Sequence, residues 1–350
     1  MADSIRNSLI AVVICSTGGA VFYLLHAPLP WLLGSLSAAA ASAILGGRWS
    51  MPQAAGRTAR PVVGLLAGSA FTAEVMAAAA GWSGFIALTL GLTVLMTLLG
   101  FLYFRKCAGF DRQTAIFAAA PGGIGEIALL SASLGGDVRS IVISHSLRVV
   151  LVVFSVPFVL QIIIGEPVGR VLPTSHGAAP PEAFDWIVLA FCGLAGYGLA
   201  RIRQRFAAGF MVFPLLLSAG VHATGLIQAI PPPWLVAAVQ IVIGGAVGAR
   251  FAGIRWTEMS RVLVFAGVWA LATVLMAGSV AYAATVCWDR SLPAMILALA
   301  PGGIAEMTIL TFSIGIEVAF VATCQVVRVL FVILVTPFLF SVFAGPGGKT

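Results

Sequence analysis

The chain has 350 residues, of which 60% are apolar and only 9% are charged, and its mean hydropathy is +1.08. Soluble domains are typically about 45–50% apolar and about 25% charged, so this composition excludes a soluble enzyme and a free transcription factor. It indicates a polytopic membrane protein. The net charge of +7 does not indicate nucleic-acid binding, because most of the 19 Lys and Arg residues lie in short segments between apolar runs, where they determine topology.

Twelve apolar segments are predicted, and most approach the ~20 residues that a helix needs to cross the hydrocarbon core. The first half carries six of them, at 7–25, 29–46, 60–80, 83–105, 113–134 and 139–164. The second half carries the other six, at 184–201, 207–227, 234–254, 262–285, 292–314 and 317–343. Residues between the halves are rich in Gly and Pro and are typical of a linker. We therefore divide the chain into a first membrane repeat (1–164), a linker (165–183) and a second membrane repeat (184–345).

The two halves are a duplication of one sequence. A shift of 180 residues aligns Ala120–Ile124 with Ala300–Ile304, both reading APGGI, and pairs Arg148 with Arg328. Between positions 116 and 160 the shifted sequences agree at 17 of 45 positions. One ungapped register over this length indicates an internal repeat.

The positive charges favour a topology in which the fifth segment of each half enters the membrane and returns on the same side. With twelve plain crossings and a cytoplasmic N-terminus, ten Lys and Arg residues lie inside and seven outside. With two re-entrant segments, fifteen lie inside and two outside, and Arg148 and Arg328 lie in the membrane. The positive-inside rule favours the second arrangement. Each half then crosses five times, so the repeats are inverted and both termini are cytoplasmic.

The fifth segments also carry a motif that explains the return. Pro121-Gly122-Gly123 and Pro301-Gly302-Gly303 lie mid-segment, where proline removes a backbone donor and glycine permits positive φ. A single copy would be explained by a plain kink. Two equivalent copies favour a binding site in which a half-helix points its N-terminus at an anionic group. The predicted fold is all-α and polytopic, with two inverted repeats of about five transmembrane helices plus a broken or re-entrant helix at the PGG motif, as in secondary transporters.

Four ionisable residues are predicted to lie at membrane depth. Glu126 and Glu306 fall in the first turn of the second half-helices, where a carboxylate can cap free N–H groups, couple a proton or cation to transport, or do both. Arg148 and Arg328 lie well inside the sixth segments, where an unpaired charge costs at least ~2.5–3.5 kcal/mol. They form either a structural ion pair, for example of Arg148 with Glu126 or Glu306, or a clamp for a substrate anion. The sequence does not separate these two roles.

His145 and Gln325 occupy one repeat position, a turn before the arginines, and we interpret them as interhelical hydrogen-bonding residues. A GxxxG pattern at Gly64 and Gly68 recurs in the second half and predicts close helix packing. The histidines and cysteines show no metal-type spacing, and there is no Walker loop or groove-reading helix. We therefore expect no metal site, no cofactor, no catalytic residue and no nucleic-acid partner.

The APGGIGEI block, followed by Ser133-Leu134-Gly135 and Arg148, resembles the AbrB duplication-domain membrane family of bacteria, as does its repeat. The resemblance covers essentially the whole chain, and family members carry labels such as ammonia monooxygenase and regulator of gene expression. Gly122–Gly125, reading GGIG, is also similar to the re-entrant motif of the glutamate and citrate symporter superfamily, which has inverted five-helix repeats. The second copy departs from that motif, since Ala305 replaces the last glycine. A monooxygenase needs a redox metal or flavin, for which the sequence has no ligand cluster, so we expect no enzymatic activity.

These observations together predict a secondary transporter of a small anionic organic solute in the bacterial inner membrane, coupled to H⁺ or Na⁺. The two PGG motifs would open the site, Arg148 and Arg328 would hold the anion, and Glu126 and Glu306 would couple the ion. The alternative is a membrane-embedded regulator or sensor that influences gene expression without transport. The expected partners are the lipid bilayer and the solute, and the sequence leaves a homo-oligomer open.

Overall fold

The computed structural model describes residues 2–47, 51, 53–122, 127, 131–132, 134–165, 168, 181–202, 208–229, 232–252 and 256–344. Every regular element in these ranges is helical. Two predicted site residues, Gly123 and Glu126, lie outside the described residues, and so does Ser133 of the family motif.

Each predicted apolar segment contains a described helix. The first half forms α1 (Ala2–Leu24), α2 (Pro30–Ile44), α3 (Gln53–Gly68), α4 (Ala73–Ala78), α5 (Ser83–Tyr103), α6 (Arg112–Ala119) and α7 (Val138–Ile164). The second half forms α8 (Ala183–Ile202), α9 (Gly209–Ala223), α10 (Pro233–Gly248), α11 (Trp256–Ala284), α12 (Leu292–Leu299), α13 (Ile304–Ile314) and α14 (Val318–Ala344). Within the described ranges, seven helical stretches are long and apolar enough to cross a membrane. This agrees with the predicted polytopic membrane protein.

The duplication extends to the bounds of the helices. A shift of 180 residues converts α3, α6 and α7 into α10, α12 and α14 without changing either end of any of them. Helix ends are set by local sequence, and here the shared prolines and glycines end the helices at shared positions. Gly135 and Gly315, another repeat pair, both adopt positive φ, at 80° and 76°, in the turns that precede α7 and α14.

The helices form two compact units, and each unit takes helices from both halves. Unit 1 comprises Met1–Gly81, Val153–Ile254 and Ala305–Ala322, and unit 2 comprises Trp82–Val152, Arg255–Ile304 and Thr323–Thr350. Thus α1, α2, α3, α8, α9, α10 and nearly all of α13 belong to unit 1, whereas α5, α6, α11 and α12 belong to unit 2. Helices α7 and α14 each contribute to both.

In unit 1, helices of the first repeat pack against helices of the second repeat in a reciprocal arrangement. Helix α2 packs along α10, and α3 packs along α9, the repeat equivalent of α2. The GxxxG glycines make these approaches possible: a methyl group at Gly68 would lie 2.6 Å from the carbonyl oxygen of Leu215, and one at Gly244 would lie 2.5 Å from that of Leu32. The prediction that these glycines serve close helix packing is therefore confirmed.

Unit 2 contains the same helix pair from each half of the chain: α5 packs on α6, and α11 packs on α12. Its interior is aromatic at one end, where Tyr103 and Trp269 stack with ring centroids 5.5 Å apart and Phe104 and Phe110 stack at 5.2 Å. Phe117 and the alanines of α6 lie fully buried beside this cluster. The short helices α6 and α12 are thus held in the protein interior, where their ends must find internal hydrogen-bond partners.

Candidate functional site

Both short helices end at the proline of a PGG motif. Ala120 and Ala300, which follow the last helical residues, adopt extended conformations with ψ of 123° and 127°, because a following proline disfavours the helical region. In each half the N–H of the first glycine folds back onto the alanine carbonyl, with an N–O distance of 2.9 Å for both Gly122 and Gly302. The chain therefore makes the same kind of turn after α6 and after α12. The last backbone carbonyls of both helices need hydrogen-bond donors from elsewhere in the protein.

In the second half, Arg328 supplies these donors. It lies on α14 with only 1% of its surface exposed. Its Nη1 donates to the carbonyl oxygen of Ala300 at 2.7 Å, and its Nη2 donates to that of Gly302 at 3.0 Å. Gln325, one turn earlier, accepts from Nη2 through Oε1 and donates from Nε2 to the Leu297 oxygen at 2.7 Å. The positive charge therefore lies at the C-terminal end of α12, where the helix dipole favours it.

The first half repeats this network at equivalent positions. Arg148, 3% exposed, donates from Nη1 to the Ala120 oxygen at a longer 3.4 Å and from Nη2 to His145 Nδ1 at 3.0 Å. His145 Nε2 in turn donates to the Phe117 oxygen at 2.7 Å. Phe117 and Ala120 are the repeat equivalents of Leu297 and Ala300. The prediction that His145 and Gln325 make interhelical hydrogen bonds is confirmed.

We call these two networks the first and second arginine clusters: His145 and Arg148 with the end of α6, and Gln325 and Arg328 with the end of α12. Of the PGG residues, Gly302 takes part in the second cluster through its carbonyl oxygen, and Gly122 donates to the Ala120 oxygen that also accepts from Arg148. Pro121, Pro301 and Gly303 are their neighbours in the chain. A methyl group at Gly122 would lie 2.8 Å from both Ile127 Cδ1 and Val332 Cγ1, so these side chains would have to shift to admit it.

The arginines are surrounded mainly by backbone acceptors. Among the described residues, the Nε atoms of Arg148 and Arg328 are buried without a hydrogen-bond partner. A pair of buried like charges with unused donors is an environment that an anion would stabilise.

A separate cluster lies in unit 1 around the predicted residue Glu306. Glu306 is in the first turn of α13 and is 6% exposed, and its Oε1 lies 3.6 Å from Arg250 Nη2. Further along α13, Ser313 accepts from Gln240 Nε2 at 2.6 Å. The described ion pair of Glu306 is therefore with Arg250, whereas the pairing of Arg148 with Glu126 falls outside the described residues.

Sequence reasoning missed Arg250 as a site residue, because the positive-inside count places it among the cytoplasmic charges that set topology. It lies in a short 3₁₀ turn, Ala249–Phe251, directly after α10. One signal was present: Arg250 falls within the predicted apolar segment 234–254, where an arginine needs a partner. With respect to metals, no group of three or more His, Cys, Asp or Glu side chains is placed to bind an ion in the described part of the chain.

The fold and the two arginine clusters define a class of protein: a polytopic, all-helical membrane protein built from a duplicated half, with one broken helix in the second half and a matching helix end in the first. The sequence model of the family described as "Transition state regulatory protein AbrB" matches residues 31–344. The chain therefore belongs to the AbrB family, and the resemblance seen in the APGG block is confirmed.

Two curated relatives match along nearly their whole length. "Uncharacterized protein YhjN" of Bacillus subtilis (strain 168) is 24% identical over 358 residues, which cover 96% of this chain and 92% of the relative. "Putative regulator AbrB" of Escherichia coli (strain K12) is 22% identical over 318 residues, covering 90% of each chain. No solved structure matches this protein significantly.

Proposed function

We propose that this protein is a secondary transporter of a small anionic organic solute, coupled to H⁺ or Na⁺ and located in the bacterial inner membrane. One observation carries the proposal: a helix that ends at a PGG motif occurs twice, and each end holds a buried arginine. Ionisable groups at membrane depth are expensive and usually mark a transport path or ligand site. Broken helices from two repeats commonly form such sites in secondary transporters.

The clusters suggest how an anion would bind. The terminal nitrogens of Arg148 and Arg328 hold backbone carbonyls, while both Nε atoms remain buried without a described partner. A carboxylate would accept hydrogen bonds from these donors and would neutralise the positive charge of the guanidinium groups. In this proposal the PGG breaks give the anion access to the arginines, and the first turns that carry Glu126 and Glu306 respond to the coupling ion.

A flux assay with a panel of candidate solutes tests the proposal. The purified full-length chain is reconstituted in liposomes and exposed to six carboxylates: acetate, pyruvate, succinate, citrate, glutamate and benzoate. We expect saturable uptake of at least one, stimulated by an inward H⁺ or Na⁺ gradient. Glu126→Gln combined with Glu306→Gln should abolish the stimulation while the protein still elutes as a folded species. Normal ion-coupled uptake by that double variant would refute the coupling role of the carboxylates.

The proposal includes inverted repeats with both termini in the cytoplasm. The reciprocal packing of α2 on α10 and of α3 on α9 supports a two-fold relation between the halves. A two-fold axis in the membrane plane inverts the repeats, whereas one along the membrane normal leaves them parallel. A topology reporter fused in the linker at Gly177 distinguishes these, because an inverted arrangement places the linker outside the cytoplasm. A cytoplasmic signal at Gly177 contradicts the inversion.

A second candidate function is a membrane-embedded regulator or sensor. It is supported by the family description and by the name of the Escherichia coli relative, both of which refer to regulation. A sensor could use the same arginine clusters to bind a solute without moving it. Saturable binding of a panel carboxylate to the purified protein, with no net flux in liposomes, would favour the sensor over the transporter.

A further inference from the structure

The hydrogen-bonding side chains of the two arginine clusters differ at one position. Histidine stands at 145 where glutamine stands at 325, and both side chains are fully buried. Each donates to the carbonyl at the end of a short helix and accepts from the arginine one turn later. The first cluster therefore contains a group that can take up a proton near neutral pH, whereas the amide of Gln325 cannot.

Two hydrogen bonds of His145 indicate its protonation state in this structure. Its Nε2 faces the Phe117 oxygen, which only accepts, so Nε2 carries a hydrogen. Its Nδ1 faces Arg148 Nη2, which only donates, so Nδ1 carries a lone pair. The ring is thus neutral whenever Arg148 is held as in this structure. A proton on Nδ1 would bring two donors and two positive charges to the 3.0 Å that now separates these nitrogens.

Protonation of His145 and retention of Arg148 in its present position are therefore mutually exclusive. The other bond of Arg148, to the Ala120 oxygen, is long at 3.4 Å, so it opposes a displacement only weakly. The displaced guanidinium stays in the protein interior with its donors unused. An anion is the partner that would satisfy them.

Resting on the transport function proposed above, we propose that His145 is a proton-binding site that couples solute binding to H⁺: one proton binds Nδ1 and releases Arg148 to hold one solute anion. The proton comes from the aqueous phase and forms an N–H bond at Nδ1, and the charge it adds is balanced by the anion. The second cluster, with Gln325, keeps its arginine in place at all pH values.

The positive charge of Arg148 opposes protonation of His145 until an anion binds, so the two events are linked. Arg148 is its neighbour on α7, and α14 carries Arg328. Helix α6 carries Arg112 at its first residue, α14 also carries Cys324, and α11 carries Glu258 and Arg261 near its start. Helices α5 and α12 carry no charged residue, and Tyr103 at the end of α5 is their titratable group. Glu126, three residues beyond the first PGG motif, belongs to the same half, and its carboxylate remains a proton site in the proposed function.

His145→Gln tests the inference, because it gives the first cluster the chemistry of the second. The probe is the ¹⁴C-labelled panel carboxylate that the wild-type protein takes up best, measured in proteoliposomes with and without an inward gradient of two pH units. One proton per anion allows about a hundredfold accumulation across that gradient, since each pH unit is a tenfold ratio of proton activity. We expect His145→Gln to lose the pH-driven accumulation together with most exchange of labelled for unlabelled carboxylate, because a glutamine at this position keeps Arg148 in place, while the variant still elutes as a folded species.

The outcomes separate the inference from the function on which it rests. Wild-type protein that takes up no panel carboxylate overturns the transport function, and with it the inference. Wild-type uptake driven by Na⁺ alone, or pH-driven accumulation that survives His145→Gln, overturns only the role of His145. If His145→Gln does not fold, Gln325→His is the second test. It places a titratable ring in the second cluster and should increase accumulation at the same gradient, and unchanged accumulation overturns the inference.

Discussion

Replacing each buried arginine by lysine should destabilise the protein unequally, with Arg328→Lys the more damaging change. Both substitutions keep the positive charge, so the cost of burying a charge is similar before and after. What changes is geometry: a guanidinium is a planar fork that reaches several acceptors, whereas an ammonium acts from one point. The loss therefore depends on how many separated acceptors each arginine now holds.

The hydrogen bonds of each arginine allow the loss of stability in each lysine variant to be estimated. Arg328 holds the oxygens of Ala300 and Gly302 at 2.7 and 3.0 Å and a third acceptor on Gln325. If lysine retains one of the three, two charge-assisted bonds are lost, at about 1.5–3 kcal/mol each, or about 3–6 kcal/mol in total. Arg148 holds His145 at 3.0 Å and the Ala120 oxygen at 3.4 Å. Here the long bond is the one lost, at the lower end of that range, or about 1.5 kcal/mol.

Thermal stability of the two variants in detergent checks this order. Aliquots are heated, cleared and measured by fluorescence-detected size-exclusion chromatography, with wild type run in parallel. We expect the midpoint to fall for both variants and to fall clearly further for Arg328→Lys. The difference of at least about 1.5 kcal/mol corresponds to roughly tenfold in the unfolding equilibrium. Equal midpoints, or a larger loss for Arg148→Lys, would refute the claim that Arg328 stabilises the end of α12 more strongly than Arg148 stabilises the end of α6.

Two further predictions use the same assay. Gly244→Ala should lower stability by about 1–3 kcal/mol, because its methyl group would meet the Leu32 oxygen at 2.5 Å. Its matched control, Gly278→Ala within α11, has open space around the new methyl group and should be neutral or stabilising by up to about 1 kcal/mol. Arg250→Met and Glu306→Gln should each destabilise, and the double variant should lose less than their sum, because they share one ion pair at 3.6 Å. Additive losses would show that the pair does not interact.

The helices and the breaks were predictable because their signals are local. Hydrophobic length defines a membrane segment wherever it occurs, and a proline ends a helix through its own covalent structure, as at Pro121 and Pro301. The duplication added a second, independent copy of each signal. The role of Gly68 also followed from spacing alone, because two small residues four apart form a groove on any helix.

The partners of the buried arginines were not predictable in the same way. A carboxylate is visible in a sequence, so Glu126 and Glu306 were the natural candidates. A backbone carbonyl is present at every residue, and only the tertiary structure shows that Ala300 offers one to Arg328. Arg250 was missed for a related reason: its partner Glu306 is 56 positions away along the chain, and only the packing of unit 1 brings them together.

Capping alone does not account for a charge at both breaks. A neutral donor can serve carbonyls at the same place, as Gln325 does when it donates to the oxygens of Leu297 and Ala300 at 2.7 and 3.3 Å. An arginine at this depth adds at least about 2.5–3.5 kcal/mol of insertion cost, which a glutamine or an asparagine would avoid. The cost is incurred twice, at Arg148 and at Arg328. An anion bound to the unused donors of these guanidinium groups would offset that cost, which supports the anionic ligand of the proposed function.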